Sequence, residues 1–209
     1  MKARILMMAL MAFFLWITQS CCNIKYVTDP FTGQRQLEAV CQDWWIALTK
    51  SAIHGAESWK DPLGFQAGTD LHVTNIINPL SLRAGAMISL QGAGWQEGTL
   101  EGRTNLLYAY MPIILKYQHS SGFYGAAGLQ PGLLLSAKDK YQGITENYMD
   151  YMNRFDLSVP VIIGYQFKNN IGVFLRVIPG LNDITKDTDV KDRNFVMGLG
   201  VSYSWGLNK

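Results

Sequence analysis

Beyond its N-terminus the chain has no apolar run long enough to cross a membrane as a helix. Such a helix needs ~20 consecutive apolar residues, and every later stretch of that length is broken by glycine, proline or charge. Charge itself is scarce. Asp, Glu, Lys and Arg make up 16% of the 209 residues, against roughly 25% in an average soluble domain. The net charge of +2 is too small for a nucleic-acid surface. The three cysteines, Cys21, Cys22 and Cys41, have no metal-ligand spacing, and the histidines His54, His72 and His119 stand apart. No glycine-rich phosphate loop is present, because Gly122 to Gly132 alternates as a strand instead of leading into a helix. These absences predict no metal and no cofactor.

What the chain has is alternation. Leu107, Ala109, Met111, Ile113, Leu115 and Tyr117 share one parity, while Tyr108, Tyr110, Pro112, Ile114 and Lys116 share the other. Side chains alternate across a strand, so one face is continuously apolar and the other mixed. The stretch from Phe155 to Lys168 is clearer. Phe155, Leu157, Val159, Val161, Ile163, Tyr165 and Phe167 form one face, and Arg154, Asp156, Ser158, Gly164, Gln166 and Lys168 the other. A long apolar face begun and ended by rings suits a strand crossing lipid. Tyr117, Phe155, Phe167, Phe195, Tyr203 and Trp205 are therefore the expected aromatic girdle.

The N-terminus reads as an export signal. Lys2 and Arg4 precede an apolar run from Ile5 to Ile17, and Thr18-Gln19-Ser20 puts small residues where a signal peptidase cuts. Residues 1–20 are thus a signal peptide. Cys21 follows directly, which leaves lipidation of that thiol open. In an oxidising compartment Cys21 or Cys22 could pair with Cys41. Residues 21–43 form an N-terminal periplasmic segment. Leu37, Val40, Cys41, Trp44, Trp45 and Leu48 recur at helical spacing, yet Trp44 to His54 also suits a strand.

Loop lengths bear on that choice. Legible strands run near 63–74, 82–91, 105–117, 123–138, 152–167, 171–182 and 195–205. The connections after the first, third and fifth are short. Those after the second, fourth and sixth are longer and polar, notably Asp139 to Asp150 and Thr185 to Asn194. Outer-membrane barrels alternate short periplasmic turns with longer outer loops and favour even strand numbers. The expectation is an all-β, eight-stranded antiparallel up-and-down transmembrane barrel over residues 44–209. Its first strand lies within Trp44 to His54, with a short N-terminal helix as the other reading of that region. The four strand prolines, Pro112, Pro131, Pro160 and Pro179, read as bulges.

The final run, Gly200-Val-Ser-Tyr-Ser-Trp, resembles the C-terminal signal of outer-membrane proteins. From Gly64 onward the chain as a whole resembles the PorT-like outer-membrane β-barrel domain. The resemblance lies in Gly64-Phe-Gln-Ala-Gly, Ser81-Leu-Arg-Ala-Gly, Tyr110 to Tyr117, Gly122 to Lys138, Phe155-Asp-Leu, Arg176 to Ile184 and Arg193 to Gly200. It implies an eight-stranded barrel in the outer membrane. Its eponymous member is associated with a secretion and gliding apparatus, a role that does not transfer to relatives without further evidence.

Candidate chemistry is sparse. Inward parity directs Asp70, His72, Arg83, Lys116, Lys138, Arg154, Asp156 and Arg176 toward the lumen. Of these, Asp70, Arg83, Lys116, Arg154, Asp156 and Arg176 form the expected charge network, read as a structural plug because eight strands enclose room only for side chains. Asp70 and His72 share a face and could serve a nucleophile such as Ser89, but no triad pattern is visible. The favoured reading is a non-enzymatic envelope barrel. Expected partners are outer-membrane lipid, the barrel-assembly machinery through the last strand, and an envelope protein of unspecified identity. The alternatives are an outer-membrane lipid- or peptide-modifying enzyme and a soluble lipocalin-like binder. A lipocalin would keep its apolar residues inside.

Overall fold

A computed structural model describes residues 25–28, 35–38, 42–54, 63–97, 100–186 and 191–205. The signal peptide, Cys21, and the proposed pairing of Cys21 or Cys22 with Cys41 fall outside them. Two short strands, β1 (Lys25–Thr28) and β2 (Arg35–Glu38), pair as a separate two-stranded sheet. An 11-stranded sheet contains everything else: β3 (Gln42–His54), β4 (Leu63–Ile77), β5 (Leu80–Glu97), β6 (Leu100–Tyr110), β7 (Ile113–Gln118), β8 (Phe123–Tyr141), β9 (Ile144–Asn147), β10 (Phe155–Ser158), β11 (Val161–Gln166), β12 (Ile171–Pro179) and β13 (Arg193–Trp205).

The sheet closes on itself. Strand β13 pairs antiparallel with β3 in unbroken register from Arg193↔His54 to Trp205↔Gln42, and β3 pairs on its other edge with β4. Strand β5 pairs with both β6 and β7, both of these pair with β8, and β8 pairs with β10 and β11. Strands β12 and β13 complete the ring. The result is an antiparallel up-and-down barrel with eight positions around the ring.

Two of those positions are broken, so the expectation of eight continuous strands holds only approximately. Strands β6 and β7 are collinear halves separated at Met111-Pro112, and β10 and β11 are separated at Val159-Pro160. Proline has no N–H to give the ladder, but its carbonyl still accepts. Gly85 N donates to Pro112 O at 2.9 Å and Gly128 N to Pro160 O at 3.2 Å. Pro131 and Pro179 stay within β8 and β12. The register shifts fall elsewhere, on β4 near His72–Ile77 and between β6 and β8 at Leu107/Tyr108. The prolines therefore interrupt strands or tolerate them, and the bulges form where an extra residue has to be absorbed.

The helical reading of the Trp44 region gives way to strand β3. Helical spacing there is outweighed by two full edges of backbone hydrogen bonds, one to β4 and one to β13. Trp45, Ala47, Thr49, Ser51 and Ile53 turn inward, while Trp44, Ile46, Leu48 and Lys50 are exposed. Among the described residues the only helical turn is a 3-10 turn at Met149–Tyr151.

Loop lengths differ from expectation as well. Only residues 98–99 separate β5 from β6, and Gln142-Gly143 turns β8 into β9 with φ of 46° and 81°. Positive φ at both central residues gives the twist a two-residue hairpin needs. The polar stretch Asp139–Asp150 is accordingly a hairpin tip and a 3-10 turn, not an irregular loop. Strand β5 has 18 residues and β8 has 19, against the ~10 that cross a bilayer. Both hairpins therefore project well past the apolar band.

Side-chain parity separates two environments. The inward face packs Tyr108, Tyr110, Leu106, Leu134, Met87, Trp45 and Phe174 among buried polar groups. The outward face leaves Leu48, Ile88, Met111, Ile113, Leu133, Val161, Ile163, Leu175 and Leu199 exposed. Apolar outside and polar inside is the arrangement of a barrel in lipid and the reverse of a lipocalin.

Candidate functional site

The lumen collects polar chemistry in tiers. Nearest the end where β3 begins, Asp43 is paired with Arg83 and lies 3.5 Å from the Lys116 ammonium. That ammonium also sits 4.1 Å from the centre of the Tyr124 ring. Asp70 faces the same space, being opposite Asp43 in the β3–β4 register. A cavity of about 40 Å³ lies among Asp43, Asp70, Arg83, Lys116, Tyr124 and Arg176. A few water molecules fill such a volume.

The middle tier is built on Arg176 of β12. Its guanidinium donates to Gln130 Oε1 at 3.2 Å, approaches Met87 Sδ at 3.8 Å, and stacks 4.4 Å over the Trp45 ring. Trp45 in turn meets Phe174 edge-on at 6.0 Å. Alongside, Gln66 donates to Ser89 Oγ at 2.8 Å. In the next tier the Tyr110 hydroxyl donates to Asp156 at 2.6 Å and accepts from Gln91 at 3.0 Å, with Tyr108 stacked on its ring at 5.4 Å. Asn194 Nδ2 reaches the same Asp156 oxygen at 3.5 Å. At the far end Trp95 Nε1 and Thr104 Oγ1 both donate to Asp139, at 2.9 and 2.8 Å.

Of the expected network, the lumen holds Asp70, Arg83, Lys116 and Arg176 around one cavity, and Asp156 in the tier beyond them. Arg154 is not among them. It is exposed just before β10, with its carbonyl accepting from Leu134. Lys138 is exposed too, because the register shift beside Leu107 reverses the parity of β8. His72 binds Asn75 at 3.0 Å while Ser89 is held by Gln66, so the grouping of Asp70, His72 and Ser89 is not assembled. Sequence reasoning missed Asp43, which lay in the segment read as periplasmic, and Asp139, whose parity depends on the shift. The alternation of β3 carried the only signal for Asp43.

The expected girdle residues take two levels. Tyr117, Phe167, Tyr203 and Trp205 are exposed toward the end where β13 finishes, joined by Phe123 and Tyr165 in edge-on contacts at 4.9 Å. Phe155 is exposed and Phe195 half-buried toward the other end. Phe195 to Trp205 covers ten strand steps. At ~3.3 Å each and a tilt near 40°, that is roughly 25 Å, the height of a lipid-facing band.

A closed ring with an apolar exterior of that height and a polar, filled interior has one setting. Residues 50–186 match the family described as outer membrane protein beta-barrel domain. The chain belongs to that family, and its place is the outer membrane. No curated protein matches it by sequence. Among solved structures it is similar to the attachment invasion locus protein Ail of Yersinia pestis, at 16% identity and TM-score 0.45 over 80% of this chain and 100% of that one. It is also similar to Neisserial surface protein A, at 13% identity and TM-score 0.48 over 79% and 97%. A third is the outer membrane protein OprG of Pseudomonas aeruginosa, at 12% identity and TM-score 0.42 over 79% and 94%.

Proposed function

We propose that this barrel acts without catalysis, as a structural or docking component of the cell envelope related to the PorT-like group. The observation that carries the reading is the filled bore. Tyr108, Tyr110, Gln130 and Arg176 are fully buried across it, and the cavity beside Asp43 holds about 40 Å³. In this reading residues 1–20 export the chain, and the stretch between them and the start of β3 at Gln42 lies in the periplasm. The turns at Asn78-Pro79, 119–122 and 167–170 face the periplasm, the long hairpins face outward, and lipid covers the apolar face. The barrel-assembly machinery recognises the strand ending at Trp205. What remains to contact another envelope protein is the projecting hairpins and the periplasmic turns. A tie to a secretion apparatus is the narrower form of this proposal.

Conduction tests it. Purified protein in planar bilayers is expected to give no steady conductance steps, and large reproducible channels would overturn the filled-bore reading. Alanine at His72 or Ser89 is expected to leave the cellular phenotype intact. Loss of that phenotype in a barrel that still assembles would favour an outer-membrane enzyme instead.

A further inference from the structure

The register shift on β8 exposes a feature that the lumen does not use. Below the shift, Gln130, Gly132 and Leu134 face inward; above it, Ala137 and Asp139 do. The extra residue falls at Leu135, where Leu134 opposes Tyr108 and Ser136 opposes Leu107. A bulge of this kind re-aims side chains. Here it turns Lys138 and Lys140 outward and sends the acid between them, Asp139, in to Trp95 and Thr104.

The outward arrangement is electrostatically unfavourable by itself. Arg103 of β6 lies directly opposite Lys140, and Asn105 opposite Lys138. Directly paired residues hold their Cβ atoms roughly 5 Å apart, and like charges so placed destabilise a sheet. Lys138 and Lys140 are exposed and have no ion pair among the described residues. Arg103 donates to Leu63 O of β4 at 3.0 Å, so its guanidinium is turned across β5, to the side away from the lysines. Glu101, the acid on this face, has a partner of its own. Glu146 lies opposite Asp139, on the other face, and accepts from the Tyr141 hydroxyl at 3.0 Å. On the opposite flank β9 places Asn147 against Lys138 and Thr145 against Lys140, both neutral and able to donate hydrogen bonds.

The position of the patch says what compensates it. Along β8 it sits immediately beyond Leu133 and Leu135, which are exposed with Phe155 and Met111 on the same outer wall. Cations bordered by hydroxyl and amide groups, standing on an apolar belt, fit an amphiphile with phosphate at its head and acyl chains below. We propose that Lys138 and Lys140 form a headgroup site for a phosphorylated glycolipid of the outer leaflet. The lysines take the phosphate, Thr145 and Asn147 the neighbouring sugar hydroxyls, and Leu133 and Leu135 the chains. The bulge at Leu135 builds the site, since without it both lysines would enter the lumen. The assignment to the outer leaflet rests on the orientation given above; the phosphate preference does not.

Native mass spectrometry of the full barrel released from micelles tests this. The probes are bisphosphorylated lipid A, the same lipid with its phosphates removed, and phosphatidylglycerol. Wild type is expected to retain the phosphorylated lipid A selectively. The double variant Lys138→Gln/Lys140→Gln is expected to keep heat-modifiable gel mobility while retention falls about tenfold or more, as two surface cations would give. Lys138→Arg/Lys140→Arg should restore retention, and Lys168→Gln, at the other end, should leave it unchanged. If the double variant does not fold, Lys140→Gln alone, near the hairpin tip, carries the comparison. Equal retention of the dephosphorylated lipid, or equal retention by the folded glutamine variant, would overturn the site. Equal retention of phosphatidylglycerol would overturn the glycolipid assignment.

Discussion

Asp43 is the residue on which the inner charge tier depends, since it lies within reach of both Arg83 and Lys116. A buried ion pair adds little net stability against apolar replacements, but removing one partner strands the others. Asp43→Ala leaves three cations, Arg83, Lys116 and Arg176, around a single carboxylate, Asp70. The expected cost is about 3–5 kcal/mol, read as a lower urea midpoint for loss of the folded gel band. Arg83→Met is expected to cost less, because Asp43 keeps Lys116. At the hairpin tip, outside the membrane, the Tyr141 hydroxyl donates to Glu146, and this bond with the nearby carboxylate raises the phenol's pKa above its ordinary value. The bond holds the neutral phenol, so the interaction is complete below the ordinary phenol pKa and is lost as pH rises through the higher, folded value. Glu146→Gln is expected to move this titration back down in a tyrosine-resolved NMR experiment. An unmoved Tyr141 signal would show that Glu146 is not the cause.

At the scale of elements, β13 gives the cleanest contrast between faces. Leu199 points to lipid near the strand's centre, while Ser202 points to the cavity beside Tyr124 and Arg176. Leu199→Arg is expected to cost roughly 2–4 kcal/mol, the penalty for a cation at the midplane of a lipid-facing strand. Ser202→Arg meets crowding and like charge, so its cost should fall when Lys116 is also neutralised. Unfolding titrations of the two variants, alone and with Lys116→Met, separate these causes. Identical responses to Lys116→Met would mean that the faces are misassigned. The broken elements β6/β7 and β10/β11 need no such test, since Pro112 and Pro160 account for both interruptions through the missing N–H.

Across the whole molecule, closure is the organising fact. The β13–β3 seam joins the two ends of the barrel in sequence, so the ring has no edge within the apolar band. The rim opposite the end where β13 finishes is less symmetric, because β5, β6, β8 and β9 run on together beyond the other strands. The intact protein is expected to fractionate with outer membranes and to migrate faster unheated than boiled. Recovery in the soluble periplasm after osmotic shock would contradict the lipid-facing assignment of Leu48, Ile163 and Leu199.

Period-two alternation was enough to determine the β class and the outward aliphatic face, because parity is a local property wherever no extra residue intervenes. Phe155 to Phe167 and Phe195 to Trp205 could therefore be read directly, and so could the inward placement of Arg83, Lys116, Asp156 and Arg176. Parity fails once a residue is inserted, and nothing in Leu-Leu-Leu-Ser-Ala marks where β8 slips against β6. That slip sets which way Lys138, Asp139 and Lys140 face, and it arises from long-range pairing with Leu107 and Tyr108. Asp43 was hidden for a related reason. Helical spacing around Trp44 and Trp45 is a local preference, whereas the strand that replaces it is held by partners 27 residues downstream in β4 and at the far end of the chain in β13. Only the closed ring could decide in favour of those distant bonds, because a barrel with one edge left open would expose unpaired backbone to lipid.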